Sequence, residues 1–197
     1  DVGYYMDNDA HLVFLFSSKK PEKPANDNVI CAQKNGLCPK EKLPNYVQQY
    51  LPCPRNTMTN FALNKAASQS DTAHGGNPDR AVDGNPDGDW NHNSVTHTSE
   101  KASPWWQVDL GSSPTIYYVD IFNRTGYEFR LSNVKISISE QANFSPAVEK
   151  SFPGQNLKAE LNAIFDNGVK GRYVRIQLNN PGEKYPLSLA EVRVWGK

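Results

Sequence analysis

The sequence predicts an all-β protein, a β-sandwich of the jelly-roll kind, and three observations lead there. Short segments rich in β-branched and aromatic residues recur from Asn60 onward. Several alternate apolar with polar side chains, and Gly/Ser/Asn/Pro clusters separate them. No sustained helical period appears anywhere in the series.

Taken in order, residues 1–56 read as a loop-rich, cysteine-containing extension. Tyr4-Tyr5 and the run 11–16 each suit a short strand. Lys19-Lys20-Pro21-Glu22-Lys23-Pro24 is a charged, proline-broken connection that can continue neither a helix nor a central strand. Residues 31–54 mix Gly, Pro, Lys and Asn, a composition that favours a module stapled by cysteine over an independent core. Residues 57–197 form the predicted sandwich, with strands over 105–110, 116–123, 134–139, 173–178 and 190–195. In the segment 173–178, Val174, Ile176 and Leu178 alternate with polar neighbours, the mark of a half-buried antiparallel strand, and Val134, Ile136 and Ile138 do the same. Gly111-Ser112-Ser113-Pro114 and Asn179-Asn180-Pro181-Gly182 are the turns between such strands.

Composition narrows the function. In 197 residues, 21 basic side chains cancel 21 acidic ones, so no global field points to nucleic acid or an anionic membrane. No apolar run approaches the ~20 residues that span a bilayer. The start at Asp1, without a basic-then-apolar leader, is what a processed mature chain or a fragment would show. Cys31, Cys38 and Cys53 make an odd set, leaving one thiol free, joined to a partner elsewhere, or available for an intermolecular bridge that would make a homo-oligomer. Their C-x6-C-x14-C spacing, with no close histidine, matches no common zinc pattern.

His97, Arg124 and Arg130 carry the most specific chemistry. A neutral imidazole accepts or donates one hydrogen bond, and guanidiniums only donate, through a rigid planar fork. Such a set suits a ligand with several adjacent oxygens, such as the vicinal hydroxyls and ring oxygen of a sugar. No nucleophile–base pairing accompanies it, so the site reads as binding without catalysis. A sugar's apolar face also needs a wall, because its hydroxyl hydrogen bonds largely exchange with those to water. His74, Trp90, Tyr127 and Phe129 are candidates, with Tyr127 and His74 leading.

The same residues carry a family resemblance. His97, 26 intervening residues and Arg124 are similar to the opening of the F-type lectin (fucolectin) signature, which continues R-x-D, four residues, R or K. Ala81-Val82-Asp83-Gly84-Asn85 resembles that family's cation-binding turn. Trp105-Trp106-Gln107-Val108-Asp109-Leu110-Gly111 resembles a strand shared with the wider discoidin-like domains, and Ala190-Glu191-Val192-Arg193-Val194-Trp195-Gly196 their closing strand. The resemblance covers about residues 57–197 and implies a discoidin-like jelly-roll. Thr125-Gly126 stands where the signature has x-D, and Arg130 comes one position before the expected basic residue, as a one-residue loop shortening would produce. Many family members place adjacent cysteines in this loop; here Gly126-Tyr127-Glu128-Phe129 replaces them, and Val95 and Ala190 occupy both ends of another common bridge.

Carried over position by position, the resemblance implies a structural calcium. Its ligands would be the carbonyls of Arg80, Asn85 and Ala190, the carboxylates of Asp83 and Glu191, and Ser94. It implies a secreted, non-catalytic lectin for terminal α-L-fucose on glycans or glycoproteins. Two other readings share the fold: a discoidin-like adhesion or phospholipid-binding module, and an accessory glycan-targeting domain of a larger glycosidase or toxin. The sequons Asn123-Arg124-Thr125 and Asn143-Phe144-Ser145 are read as chance matches or as sites in a host that does not glycosylate them, because a glycan on the first would cover Arg124 and Pro146 follows the second.

Overall fold

Alternating burial sorts the strands into two facing sheets. The computed structural model describes residues 2–6, 12–16, 55–180 and 183–197. The chain divides into two units, Asp1–Leu51 and Pro52–Lys197. In the first, β1 (Val2–Met6) and β2 (Leu12–Phe16) form an antiparallel pair in register from Val2↔Phe16 to Met6↔Leu12. Cys31, Cys38 and Cys53 lie outside the described residues.

The second unit is a sandwich of β3 (Thr59–Asn60), β4 (Ala66–Gln69), β5 (Trp105–Asp109), β6 (Thr115–Asn123), β7 (Ser132–Ser139), β8 (Val148–Gln155), β9 (Glu160–Lys170), β10 (Tyr173–Leu178) and β11 (Leu189–Gly196). One sheet has the order β4-β5-β10-β7-β8, the other β3-β11-β6-β9, and every pairing is antiparallel. Trp106, Val108, Ile136, Ile138, Val174 and Ile176 face inward from the first sheet and meet Ile116, Val119, Ile121, Val192 and Val194 from the second, all of them buried. Trp106 also donates its indole N–H to the Pro78 carbonyl at 2.9 Å, tying the core to the turn 78–82.

The expected strands over 105–110, 116–123, 134–139, 173–178 and 190–195 are present within a residue or two, and they are the interior strands of the two sheets. The sequence reading missed β3, β4, β8 and β9, each of which lies at a sheet edge. An edge strand is paired on one side only and tolerates proline and polar residues; β8 carries Pro153 and is mostly exposed. The sandwich unit also reaches back to Arg55, which donates to Asp120 at 2.8 Å and lies over the Tyr118 ring.

The pairings place the end of β6 beside the start of β11 and the end of β10 beside the starts of β5 and β7. The segments 70–104, 124–131 and 183–188 therefore converge at one end of the sandwich.

Candidate functional site

His97 lies in a buried stretch that acts as a strap between two neighbours. Thr96 and Thr98 donate their N–H groups to Leu189 and Leu187, while His97 donates to Gly76 and accepts from Ala73, each at 2.8–3.1 Å. Gly76 permits this approach, since a Cβ there would stand 2.5 Å from the His97 nitrogen. Gln69 adds a side-chain bond to the Gly76 carbonyl at 2.9 Å. The loop carrying His74 is thereby fixed against His97, and the two rings meet edge to face with centroids 5.2 Å apart.

The tautomer of His97 follows from its neighbour. Its Nδ1 lies 2.7 Å from the Thr98 carbonyl, which can only accept, so Nδ1 carries the proton. Burial, opposed by that hydrogen bond and aided by Arg124, His74 and Arg130, holds the imidazole below the ordinary histidine range. The ring is therefore neutral near pH ~7, and Nε2 remains an acceptor.

Arg124 follows the last residue of β6, where Asn123 organises the turn. The buried Asn123 amide donates to the carbonyls of Glu128 and Lys158 at 3.0 and 3.3 Å, and its oxygen accepts from the Arg124 N–H. With its amide enclosed, Asn123 cannot carry a glycan, which removes the first sequon on physical grounds. Residues 128–130 form a 3-10 turn, closed by the Arg130 N–H on the Tyr127 carbonyl at 3.0 Å. This tightening brings Arg130 to the same pocket as Arg124 despite its early position in the chain. Arg124 is held below the usual arginine range by burial first and by Arg130 second.

These side chains line one cavity of about 580 Å³, within the range of small-molecule sites. His74, Trp90, His97, Arg124, Tyr127 and Arg130 all border it, together with Glu100 at its exposed rim. Trp90 contacts His97 at 5.3 Å and Arg124 at 4.8 Å, a convergence of three candidates that spacing alone could not reveal. Phe129 departs from expectation: it packs on Tyr185 at 6.2 Å and is not among the lining residues. Thr98 and Pro186 also line the cavity and were not read from the sequence; the hydrogen bond from Leu187 to Thr98 brings them in across 89 positions. A second cleft of about 410 Å³, near β8 and β9, gathers no histidine or arginine.

The residues expected around a cation occupy the adjoining loop. Asp83 ends the turn 78–82 and accepts from the Asn85 N–H at 2.8 Å, with Gly84 at φ +91 between them. Glu191 reaches this turn from β11 and accepts from the Gly84 N–H at 3.3 Å. A bulge between Leu189 and Glu191 leaves Ala190 as the extra residue, re-aiming the strand at this point. Glu191 is fully buried and its Oε1 has no hydrogen-bond partner, with Arg193 at 3.7 Å. Its carboxyl is pushed up to about 7, by burial first, and nearby Asp83 adds to the rise. An orphaned carboxylate oxygen beside a second carboxylate is a surrounding that a hard cation would relieve. Ser94 donates to the carbonyls of Asp87 and Asp89, and the Arg80 side chain turns to the Val95 carbonyl. No group of three His, Cys, Asp or Glu side chains suited to a metal occurs among the described residues, so a cation here would draw mainly on backbone oxygens.

His97 in the pocket and His92 in the adjoining loop should have pKa values displaced in opposite directions. His97 should titrate below the ordinary histidine value as the Nδ1–H tautomer, whereas His92, paired with Asp87 at 2.6 Å, should titrate above it. Imidazole proton and nitrogen shifts followed against pH measure both, and a His97 that protonates before His92 on acidification contradicts the arrangement.

Comparison with known proteins gives this geometry a lineage. The family model for the F5/8 type C domain matches residues 64–192. Fucolectin-5 from Anguilla japonica is 35% identical over 154 residues, 74% of this chain and 79% of the relative. Among solved structures, the lectin domain of lectinolysin complexed with Lewis B antigen is 42% identical with a TM-score of 0.65, covering 71% of this chain and 97% of that domain. A Streptococcus pneumoniae fucose binding module, SpX-3, is 38% identical with a TM-score of 0.63, covering 71% and 98%. The chain belongs to the F5/8 type C (discoidin-like) domain family and, within it, to the fucolectins.

Proposed function

We propose that this chain is a secreted, non-catalytic lectin that binds terminal α-L-fucose on glycans or glycoproteins. The observation that carries the reading is the polar set in the cavity: a neutral His97 able to accept through Nε2, beside two guanidiniums that can only donate. Fucose offers adjacent hydroxyls and a ring oxygen to such a set, and its methyl group suits the aromatic walls of Trp90, Tyr127 and His74. The names of the relatives, fucolectin and fucose binding module, support the same sugar. Binding without catalysis is supported by the lining: a glycosidase flanks the scissile bond with two carboxyl groups, and Glu100 is the single one here. The accessory-module reading stays as the second, favoured by the similarity to a lectin domain named as part of lectinolysin.

The reading includes a structural calcium held by Asp83 and Glu191 with the carbonyls of Arg80, Asn85 and Ala190 and the oxygen of Ser94. When bound, the ion would supply positive charge to two crowded carboxylates and cross-link their loop to β11. The orphaned Glu191 oxygen is the support for it. Sugar contact would be left to the cavity residues, with the 83–94 loop holding Trp90 and leading into His97.

Arg124→Ala and His97→Ala should each weaken L-fucose binding by about ten- to a hundredfold, the cost of losing a hydrogen bond to or from a site with charged donors. Isothermal titration measures this, with circular dichroism to check the fold. Full affinity in either variant removes the pocket from consideration.

Calcium removal should lower the melting temperature, in a pH-dependent way. In the metal-free protein the raised Glu191 carboxyl contributes stability that is complete below the ordinary glutamate value of 4.5 and is lost as pH rises through about 7. Calcium needs the ionised form, so its stabilising effect should be small at about pH 5 and large at about pH 8. Melting curves with chelator and with added calcium decide; equal curves at the higher pH count against the ion.

A further inference from the structure

Arg124 and Arg130 repel each other, and neither forms an ion pair among the described residues, yet both are gathered at one tyrosine. The guanidinium carbon of Arg124 lies 4.5 Å from the Tyr127 ring centroid and that of Arg130 4.2 Å. Trp90 adds a second aromatic surface to Arg124 at 4.8 Å, and Phe129 meets Arg130 more loosely at 5.9 Å. Core packing does not account for Tyr127, whose side chain belongs to a residue 40% exposed. The chain instead builds it in place. Gly126, at φ +80, reverses the backbone between Arg124 and Tyr127, and the 3-10 turn fixes Tyr127 against Arg130.

How a guanidinium is held decides what it can still do. All five of its N–H donors lie in its plane. A carboxylate grips that plane edge-on, through paired hydrogen bonds, and so occupies the donors a ligand would need. An aromatic ring attracts the cation through its face and leaves the edge free. We propose that Tyr127 is a positioning residue whose ring holds Arg124 and Arg130 together by cation–π contact while keeping their donors open to an oxygen-rich ligand. This assignment rests on the sugar-binding reading of the pocket, and it gives Tyr127 a role beyond that of an apolar wall for the ligand.

Two substitutions separate the roles. Tyr127→Phe keeps the ring face and removes the hydroxyl, whereas Tyr127→Leu keeps apolar bulk and removes the ring. Titrated with L-fucose, the Phe variant should bind within about threefold of the parent chain and the Leu variant about tenfold more weakly, as expected for losing two contacts of this kind. Melting temperatures should be alike. A second readout needs no sugar: ring currents should shift the Arg130 side-chain resonances upfield in the parent and Phe proteins and much less in the Leu protein, while Arg124 keeps the part of its shift due to Trp90. Parental affinity in the Leu variant, or an equal loss in both variants, overturns the positioning role. Failure of the parent chain to bind fucose overturns the sugar reading alone, and the ring-current shifts then decide Tyr127. Their absence from the parent protein overturns the proposal directly.

Discussion

The pocket depends on two places where backbone approaches backbone more closely than a side chain would permit. Gly76 lies against His97 in this way, and Gly88 lies against the Arg124 turn. A Cβ on Gly88 would stand 2.5 Å from the Thr125 hydroxyl and 2.8 Å from the Asn123 carbonyl. Thr125 donates its N–H to the Gly88 carbonyl across the same contact, at 2.9 Å. The loop with His74 is thus joined to the His97 stretch, and the loop with Trp90 to the Arg124 turn, by main-chain contacts. This framework places the side chains that line the cavity, and their ring contacts then fix them.

Glu191 extends the same framework to the sheet. Its buried carboxylate meets the Gly84 N–H, while the bulge at Ala190 turns the start of β11 toward the turn that holds Asp83. The segment 83–92 then continues through a run of hydrogen bonds in which Asp83, Asn85, Asp87 and Asp89 each accept from the N–H two positions on. This ladder leads to Trp90, and so connects the charge balance at Glu191 to one wall of the cavity. Cost and function meet here: ionising buried Glu191, whose Oε1 has no hydrogen-bond partner, is expensive, and the segment beside it also shapes the pocket.

Much of the interior was legible in the sequence, and the reason is visible in the sheet order. β5, β6, β7, β10 and β11 are flanked by neighbours on both sides, so their inward positions are apolar and their alternation is strong. β3, β4, β8 and β9 close the edges, where polar residues such as Lys150, Asn162 and Asp166 are tolerated and the period weakens. In the site, the interval from His97 to Arg124 was readable because it matches the family signature; in the fold it spans β5, β6 and the turn between them. Arg130 stood outside the pattern until the 3-10 turn accounted for it. The roles of Thr98, Pro186 and Gly88 were not legible, since each depends on a contact between segments distant in sequence. The tautomer of His97 likewise needed the Thr98 carbonyl in view.

On the proposed function, one neutral imidazole and two guanidiniums held over an aromatic ring together read a sugar. A crystal structure of this chain with L-fucose and calcium tests it most directly. Fucose should lie in the cavity bordered by Trp90 and Tyr127, with a hydroxyl donating to His97 Nε2 and ring or hydroxyl oxygens accepting from Arg124 and Arg130. Fucose bound in the cleft near β8 and β9, or bound in the cavity without contact to His97 and both arginines, would contradict it.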